Sequence, residues 1–278
     1  MGDALPAPRS RPADRCLSSR AKTREHQTGS TNDAIRDAMT APANEFRVMT
    51  SGAFTAAHLE LIPRLERLTG KKVITASTSI GTGENSIPNR LKRGEVVDIV
   101  IVAEAVLRQF ITEGLVLSEG HAPIARSGIG MAVRAGAPRP DISSPDALRR
   151  TLLEAASIGY SASVSGQYVT TELYQRLGIA DRALPKSRLI GGGERVGAVV
   201  ARGEVEIGFQ QMSELLPVPG IDHITPLPPE LQKVSSFAAG VAASSPDPAL
   251  GRKVIGFLAS PEADQAIRNS GLEPVAGK

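Results

Sequence analysis

Hydrophobic positions along this chain change their period at Glu45. Beyond it, short β-branched and apolar runs alternate with stretches whose apolar residues recur every three or four positions, the two periods of strands and amphipathic helices. Phe46-Arg47-Val48-Met49-Thr50 reads as a strand and Ser51-Gly52-Ala53 as a small-residue turn. Phe54, Ala57, Leu61, Leu65 and Leu68 then keep helical spacing up to a stop at Gly70. Lys72–Thr78 predicts a second strand, Ile80–Asn85 a Gly/Thr loop, and Ser86–Arg93 a short helix ended by Gly94. The run Val96–Val102 is apolar except for Asp98, as a parallel strand buried on both faces reads.

The same alternation continues. Gly128–Arg134, Ser157–Tyr160, Val205–Phe209 and Phe237–Ala243 predict strands; Val196–Arg202, Pro248–Leu258 and Pro261–Ser270 predict helices, as does the stretch running through Tyr174 to Leu177 before Gly178. Ser144 with Pro145 behind it is a strong helix start, the hydroxyl capping and the proline filling the first helical position. Strand–helix alternation implies βαβ units and an open α/β sheet, with ligands outside the carboxyl ends of the strands. At roughly 100–200 residues per domain, 278 residues allow one large or two small domains. The expected layout is two α/β lobes: residues 45–128 with 238–278, and residues 129–237. Gly128–Arg134 and Phe237–Ala243 would be the strands that cross between them.

Charge and composition narrow the function classes. Residues 1–38 hold seven Lys/Arg and five Asp/Glu, which leaves 25 basic and 24 acidic residues for the rest. A nearly neutral body lacks the basic face of a nucleic-acid binder, and 3% aromatics with no Trp leave few rings for stacking on single strands. Residues 1–44 read as a disordered basic tail, polar and without periodicity. Cys16 is the sole cysteine and the four histidines are scattered, so neither a disulfide, a metal site nor a cofactor is expected. There is no run of 18 apolar residues to insert in a membrane. No apolar segment of about 7–15 residues precedes Phe46 or follows Met39 or Met49, so the chain as written is expected to be cytoplasmic. A misassigned start would allow a periplasmic location.

Three small-residue turns each lie between a strand end and a helix start: Ser51-Gly52-Ala53, Gly81-Thr82-Gly83 and Ser163-Val164-Ser165-Gly166. Free N–H groups at a helix start carry partial positive charge, hydroxyls add donors, and small residues let an anion approach. Neither GxxxxGK[ST] nor GxGxxG is present, so Gly191-Gly192-Gly193 reads as a flexible or ligand-facing loop and not a phosphate cradle. Arg126 offers bidentate carboxylate binding, and Gln210-Gln211 follows a strand end. The candidate ligand set is Ser51, Gly52, Thr82, Gly83, Arg126, Ser163, Ser165 and Gln211. For an enzyme, Glu84 and His58 are the candidate proton-transfer groups; their plain alternatives are a solvated loop carboxylate and a structural histidine.

The segments Leu91-Lys92-Arg93-Gly94-Glu95-Val96-Val97-Asp98-Ile99-Val100-Ile101-Val102-Ala103, Gly159–Tyr168 and Val199–Phe209, with Val48–Ala57, resemble the molybdate-type solute-binding proteins of ABC transporters. The resemblance implies a two-lobed type II periplasmic-binding fold, a small anionic ligand held in the cleft by hydroxyls and N–H groups, and an ABC permease as partner. Several family hydroxyls are missing: Ala53-Phe54-Thr55 stands for Ser-Leu-Thr, Gly83-Glu84 for a Ser pair, and Gln210-Gln211 for a Tyr. These losses point from a bare oxyanion toward an organic carboxylate. One branch of the family resembles aconitate isomerase, which moves the double bond of a tricarboxylate by proton abstraction; a binding protein and such an enzyme are both compatible with the residues.

Overall fold

The computed structural model describes residues 44–77, 80–81, 83–191 and 193–275. Of the expected tail only Asn44 falls within that range.

Strand β1 (Glu45–Thr50) feeds helix α1 (Gly52–Thr69). Its apolar stripe, Phe54, Ala57, Leu61 and Leu65, is buried. Gly70 ends the helix at φ 67°, a left-handed conformation that lets its N–H close on the Glu66 carbonyl. There follow β2 (Lys72–Ser77), α2 (Ile87–Lys92), β3 (Ile99–Ala103), α3 (Glu104–Thr112) and β4 (Ala122–Ser127). Strand β4 escapes the sequence reading because Pro123 argues against a strand. It is accommodated where the ladder to a later strand slips register between Phe237 and Ala238.

Beyond Gly128 come β5 (Ile129–Arg134), α4 (Pro145–Glu154), β6 (Ile158–Ser161) and α5 (Val164–Tyr168). Helix α5 runs through a π-helical turn, Val169–Leu173, into α6 (Tyr174–Arg176). Then come α7 (Ala180–Ala183), β7 (Ser187–Ile190), α8 (Val196–Ala201), β8 (Ile207–Gln211), α9 (Met212–Leu215) and β9 (Ile221–Pro226). The chain returns through β10 (Ser235–Val241), α10 (Pro248–Leu258), α11 (Asp264–Asn269) and β11 (Glu273–Pro274). Ser144 caps α4 as its sequence predicts, accepting from the Ala147 N–H.

The strands form two sheets, β11-β4-β10-β3-β1-β2 and β7-β6-β8-β5-β9. Each is mixed. The pairs β1/β2, β1/β3, β6/β7 and β6/β8 are parallel, while β10 and β5, which lie next to the crossings, pair antiparallel. Alternate residues of β3 point to opposite sides. Ile99 and Ile101 join a core with Phe46, Phe54 and Leu61; Val100 and Val102 join one with Leu107 and Phe110. Asp98, the break in that apolar run, is buried because its carboxylate accepts the Arg47 N–H at 2.7 Å. Burial nevertheless pushes its pKa up.

The crossings are at Gly128 and residues 227–234. Gln232 stitches them together: its side-chain oxygen accepts from the Ile129 N–H (2.8 Å) and its nitrogen donates to the Ile129 carbonyl (3.0 Å). This copies, with one side chain, the pair of bonds a neighbouring strand would make.

Candidate functional site

The cleft lies where strands of both sheets end. On the first-sheet side it is lined by Ser51, Gly52, Ala53, Gly81 and Ala103. Ser51 sits between β1 and α1 in extended conformation, held by its N–H to the Ile101 carbonyl (2.7 Å). Its carbonyl accepts from the Phe54 N–H and the Thr55 hydroxyl. Its own hydroxyl does not cap α1 and has no partner, although the residue is 6% exposed. A buried donor without a partner costs about 1–3 kcal/mol, so this hydroxyl is a donor open to the cleft. It stands beside the first turn of an 18-residue helix, whose N–H groups have no intrahelical acceptor.

The second-sheet side supplies three segments. At the end of β6 the hydroxyls of Ser161, Ser163 and Ser165 form a row, 2.7 Å and 3.0 Å apart. Ser161 and Ser163 line the cleft; Ser165 is fully buried behind them. The loop after β7 contributes Gly191, Gly193, Glu194 and Arg195. It is anchored where Gln210 accepts the Val196 N–H at 3.0 Å. Gln210 and Gln211 at the end of β8 and Glu214 on α9 complete the wall.

Glu214 reaches from α9 across to the other lobe. A Cβ built on Gly52 would overlap its Oε1. Burial of the carboxyl pushes its pKa up to about 7, against the hydrogen bond from the Gln210 side chain, the charge of Arg195 and the Gln211 N–H. Arg195 is the only Lys or Arg among the described residues of the lining. The other carboxylate there, Glu194, is paired with Arg202 at 2.5 Å.

Of the residues singled out from sequence, the structure brings together Ser51, Gly52, Ser163 and Gln211 on this cleft. Ser165 touches it only through Ser163. The Gln211 amide spans the crossings: it lies 3.0 Å from the Ser235 hydroxyl and 3.1 Å from the Ser127 and Gly128 carbonyls. The satisfying orientation donates its N–H groups to those carbonyls and accepts from Ser235. Arg126 lies elsewhere, exposed on β4, because the crossing begins two residues later and β4 alternates its side chains away from the cleft. Gly83 is exposed, its carbonyl accepting from the Ser86 N–H at the start of α2. Glu84 is exposed too, its carbonyl bound by Arg93. Neither is in the lining, whereas Gly81 is; Thr82 lies outside the described residues. His58 is fully buried on α1, bonded through Nε2 to Thr75 Oγ1 at 3.0 Å, with its pKa lowered to about 4 by desolvation. It too is absent from the lining.

Sequence reasoning missed Glu214, Ser161 and Arg195. Glu214 left a faint signal, a carboxylate three residues past a strand end, which is ordinarily a dipole partner of its own helix. No group of three or more His, Cys, Asp or Glu able to hold a metal occurs among the described residues. No described helix is long and apolar enough to cross a membrane.

Two lobes joined by two crossings, with an anion-suited cleft between them, define a type II periplasmic-binding fold. The sequence model of the bacterial extracellular solute-binding proteins matches residues 46–273, and the chain belongs to that family. Within it, the chain is similar to an aconitate isomerase from Pseudomonas sp., 40% identical over 235 residues, covering 84% of this chain and 89% of that protein. Among solved structures, the periplasmic molybdate-binding protein of Azotobacter vinelandii matches with TM-score 0.65 and 16% identity, over 84% of this chain and 100% of that one. An A. tumefaciens binding protein, AgtB, in complex with agropinic acid, matches with TM-score 0.58 and 15% identity, over 84% of each chain.

Proposed function

We propose that the cleft binds a small organic polycarboxylate and that the chain isomerises it, moving the double bond of an aconitate-like tricarboxylate. The observation that carries this reading is Glu214: a desolvated carboxyl, pushed up to about 7, in the same cleft as the anion donors. In its ionised form such a group repels a bound oxyanion. A reaction that moves a proton needs one with a pKa near the working pH.

The donors divide the work. Arg195 pairs with one carboxylate of the ligand, and the serine hydroxyls and the first turn of α1 hold the others. Glu214, as carboxylate, takes a proton from the methylene carbon; the electron pair of that C–H bond becomes the new C=C. The old π pair takes the proton back from Glu214 at its far carbon. Nothing is oxidised or reduced, so no cofactor is called for. Because Glu214 must start ionised, kcat/KM is expected to rise with pH through about 7.

The similarity to the Pseudomonas aconitate isomerase supports this reading. Binding without turnover, with an ABC permease as partner, is the second reading, favoured by the family to which the chain belongs. The test is to incubate the protein with trans-aconitate in heavy water and follow it by proton NMR. Appearance of cis-aconitate supports the isomerase. Saturable binding with neither conversion nor deuterium in the recovered ligand leaves the binding protein.

A further inference from the structure

We propose that Gly52 is a positioning residue for this reaction: by having no side chain, it leaves on the first turn of α1 the seat that the Glu214 carboxyl occupies. This rests on the isomerase reading of the cleft.

Glu214 belongs to a four-residue helix of the second lobe, too short to fix a long side chain by itself. Its carboxyl is held from behind by Gln210 and by the Gln211 N–H. In front it meets Gly52, at the place where any other residue would put its Cβ. Gly52 has no conformational need to be glycine. It is the first residue of a regular right-handed helix, where alanine is favoured by up to about 1 kcal/mol. Its lack of a side chain therefore serves the neighbour. The contact also joins the lobes, so the proton-carrying group is in place only when α9 is packed on α1.

The ionisable groups around Glu214 are few. Arg195 and the Arg202-paired Glu194 face it from the loop before α8. Gln210 and Gln211 on β8 are uncharged, and the residues of α1 on the cleft, Gly52 and Ala53, carry no ionisable side chain. A shift of the carboxyl would thus change its distance to Arg195 and its burial, and with them its pKa.

The experiment compares wild type, Gly52→Ala, Glu214→Asp and the double variant in trans-aconitate isomerisation from pH 5 to 9, with thermal melting of each. A misplacement of an ångström costs about 100-fold, so Gly52→Ala should lower kcat by about that factor, change KM much less, and move the pH midpoint. The aspartate is one methylene shorter and vacates the overlap but carries its own cost of misplacement, so Gly52→Ala should lower kcat by less than about tenfold in the Glu214→Asp background, against about 100-fold in wild type. Wild-type kcat and pH midpoint in Gly52→Ala would overturn the proposal, as would a Gly52→Ala substitution that lowers kcat by the same factor in the Glu214→Asp background as in wild type. If Gly52→Ala does not fold, Gly52→Ala/Glu214→Ala decides: melting at the temperature of Glu214→Ala supports the seat, and continued unfolding overturns it. A wild type without turnover overturns both the function and the positioning role. Turnover with an indifferent Gly52→Ala overturns the positioning role alone.

Discussion

The two walls of the cleft are built from different materials. The first-sheet wall, from Ser51 to Ala53 with Gly81 and Ala103, contains no ionisable side chain among its described residues and offers N–H groups, one free hydroxyl and open space. The second-sheet wall holds Arg195, Glu194 and Glu214. One wall presents fixed dipoles whose strength does not vary with pH; the other presents groups that gain and lose protons. The helices match these roles. The 18-residue α1 carries a long aligned dipole, whereas α8 and α9 have only six and four residues, and the Glu214 carboxyl of α9 is oriented by Gln210 and the Gln211 N–H. Binding by uncharged donors on the first wall, and charge pairing with proton transfer on the second, is the division to be tested.

The sharpest break is Glu214→Gln. General acid–base groups contribute about 10²–10⁴-fold, so isomerisation should fall by about 10³-fold while calorimetric affinity for trans-aconitate is kept or improved. A variant with wild-type turnover would move the chemistry elsewhere.

Next come the pH effects on stability, which differ in sign between the lobes. Glu214 has its pKa raised from 4.5 to about 7 in the folded protein. The stability it allows is complete below the unfolded value and is lost as pH rises through about 7. Urea melts of Glu214→Gln should therefore gain up to about 3 kcal/mol over wild type between pH 4.5 and 8. His58, in the first lobe, has its pKa lowered from 6.5 to about 4. It costs nothing above 6.5, and stability is lost as pH falls from there through about 4, again by up to about 3 kcal/mol. In wild type the two slopes oppose each other and cancel between pH 4.5 and 6.5, so each is read singly: a Glu214→Gln melt that stays flat as pH falls from 6.5 to 4 would contradict the burial of His58, and a pH-independent difference between that variant and wild type would contradict the burial of Glu214.

A smaller effect separates two arginines. Arg195→Ala should weaken ligand binding by about 1.5–3 kcal/mol, the range for hydrogen bonds to charged groups. Arg126→Ala should leave it unchanged in the same titration. The smallest effect falls on the uncharged wall. Ser51→Ala should cost about 1 kcal/mol of binding without lowering the melting temperature of the free protein, since its hydroxyl has no partner there.

Much of this was legible in the chain. The stripe Phe54-Ala57-Leu61-Leu65, the doubly buried run ending in Val102 and the Ser144 cap are local patterns, and local patterns survive folding. So do the turns at Ser51 and Ser163, because a strand followed by a helix places its junction at the sheet's end. What stayed hidden depends on distant neighbours. Strand β4 is held by β10 and β11, residues more than a hundred positions away, and these outweigh its proline. Arg126 and Arg195 look alike in sequence and both are exposed; only the fold shows that the loop after β7 sets Arg195 on the cleft while β4 holds Arg126 away from it. Glu214 becomes special through Gly52, 162 positions earlier, a relation no spacing rule contains.

The place of β10 in the middle of its sheet has a consequence for how the protein is made. It separates β3 from β4, yet it is encoded after the entire second sheet. As a nascent chain leaves the ribosome, residues 129–226 already carry all five strands of their sheet, while the earlier-made half waits with one edge of β3 and both edges of β4 unpaired. The N-terminal lobe is thus the last to be finished. A chain cut short before β10 has every strand of its second sheet and leaves open edges of the first, which is where other chains would add.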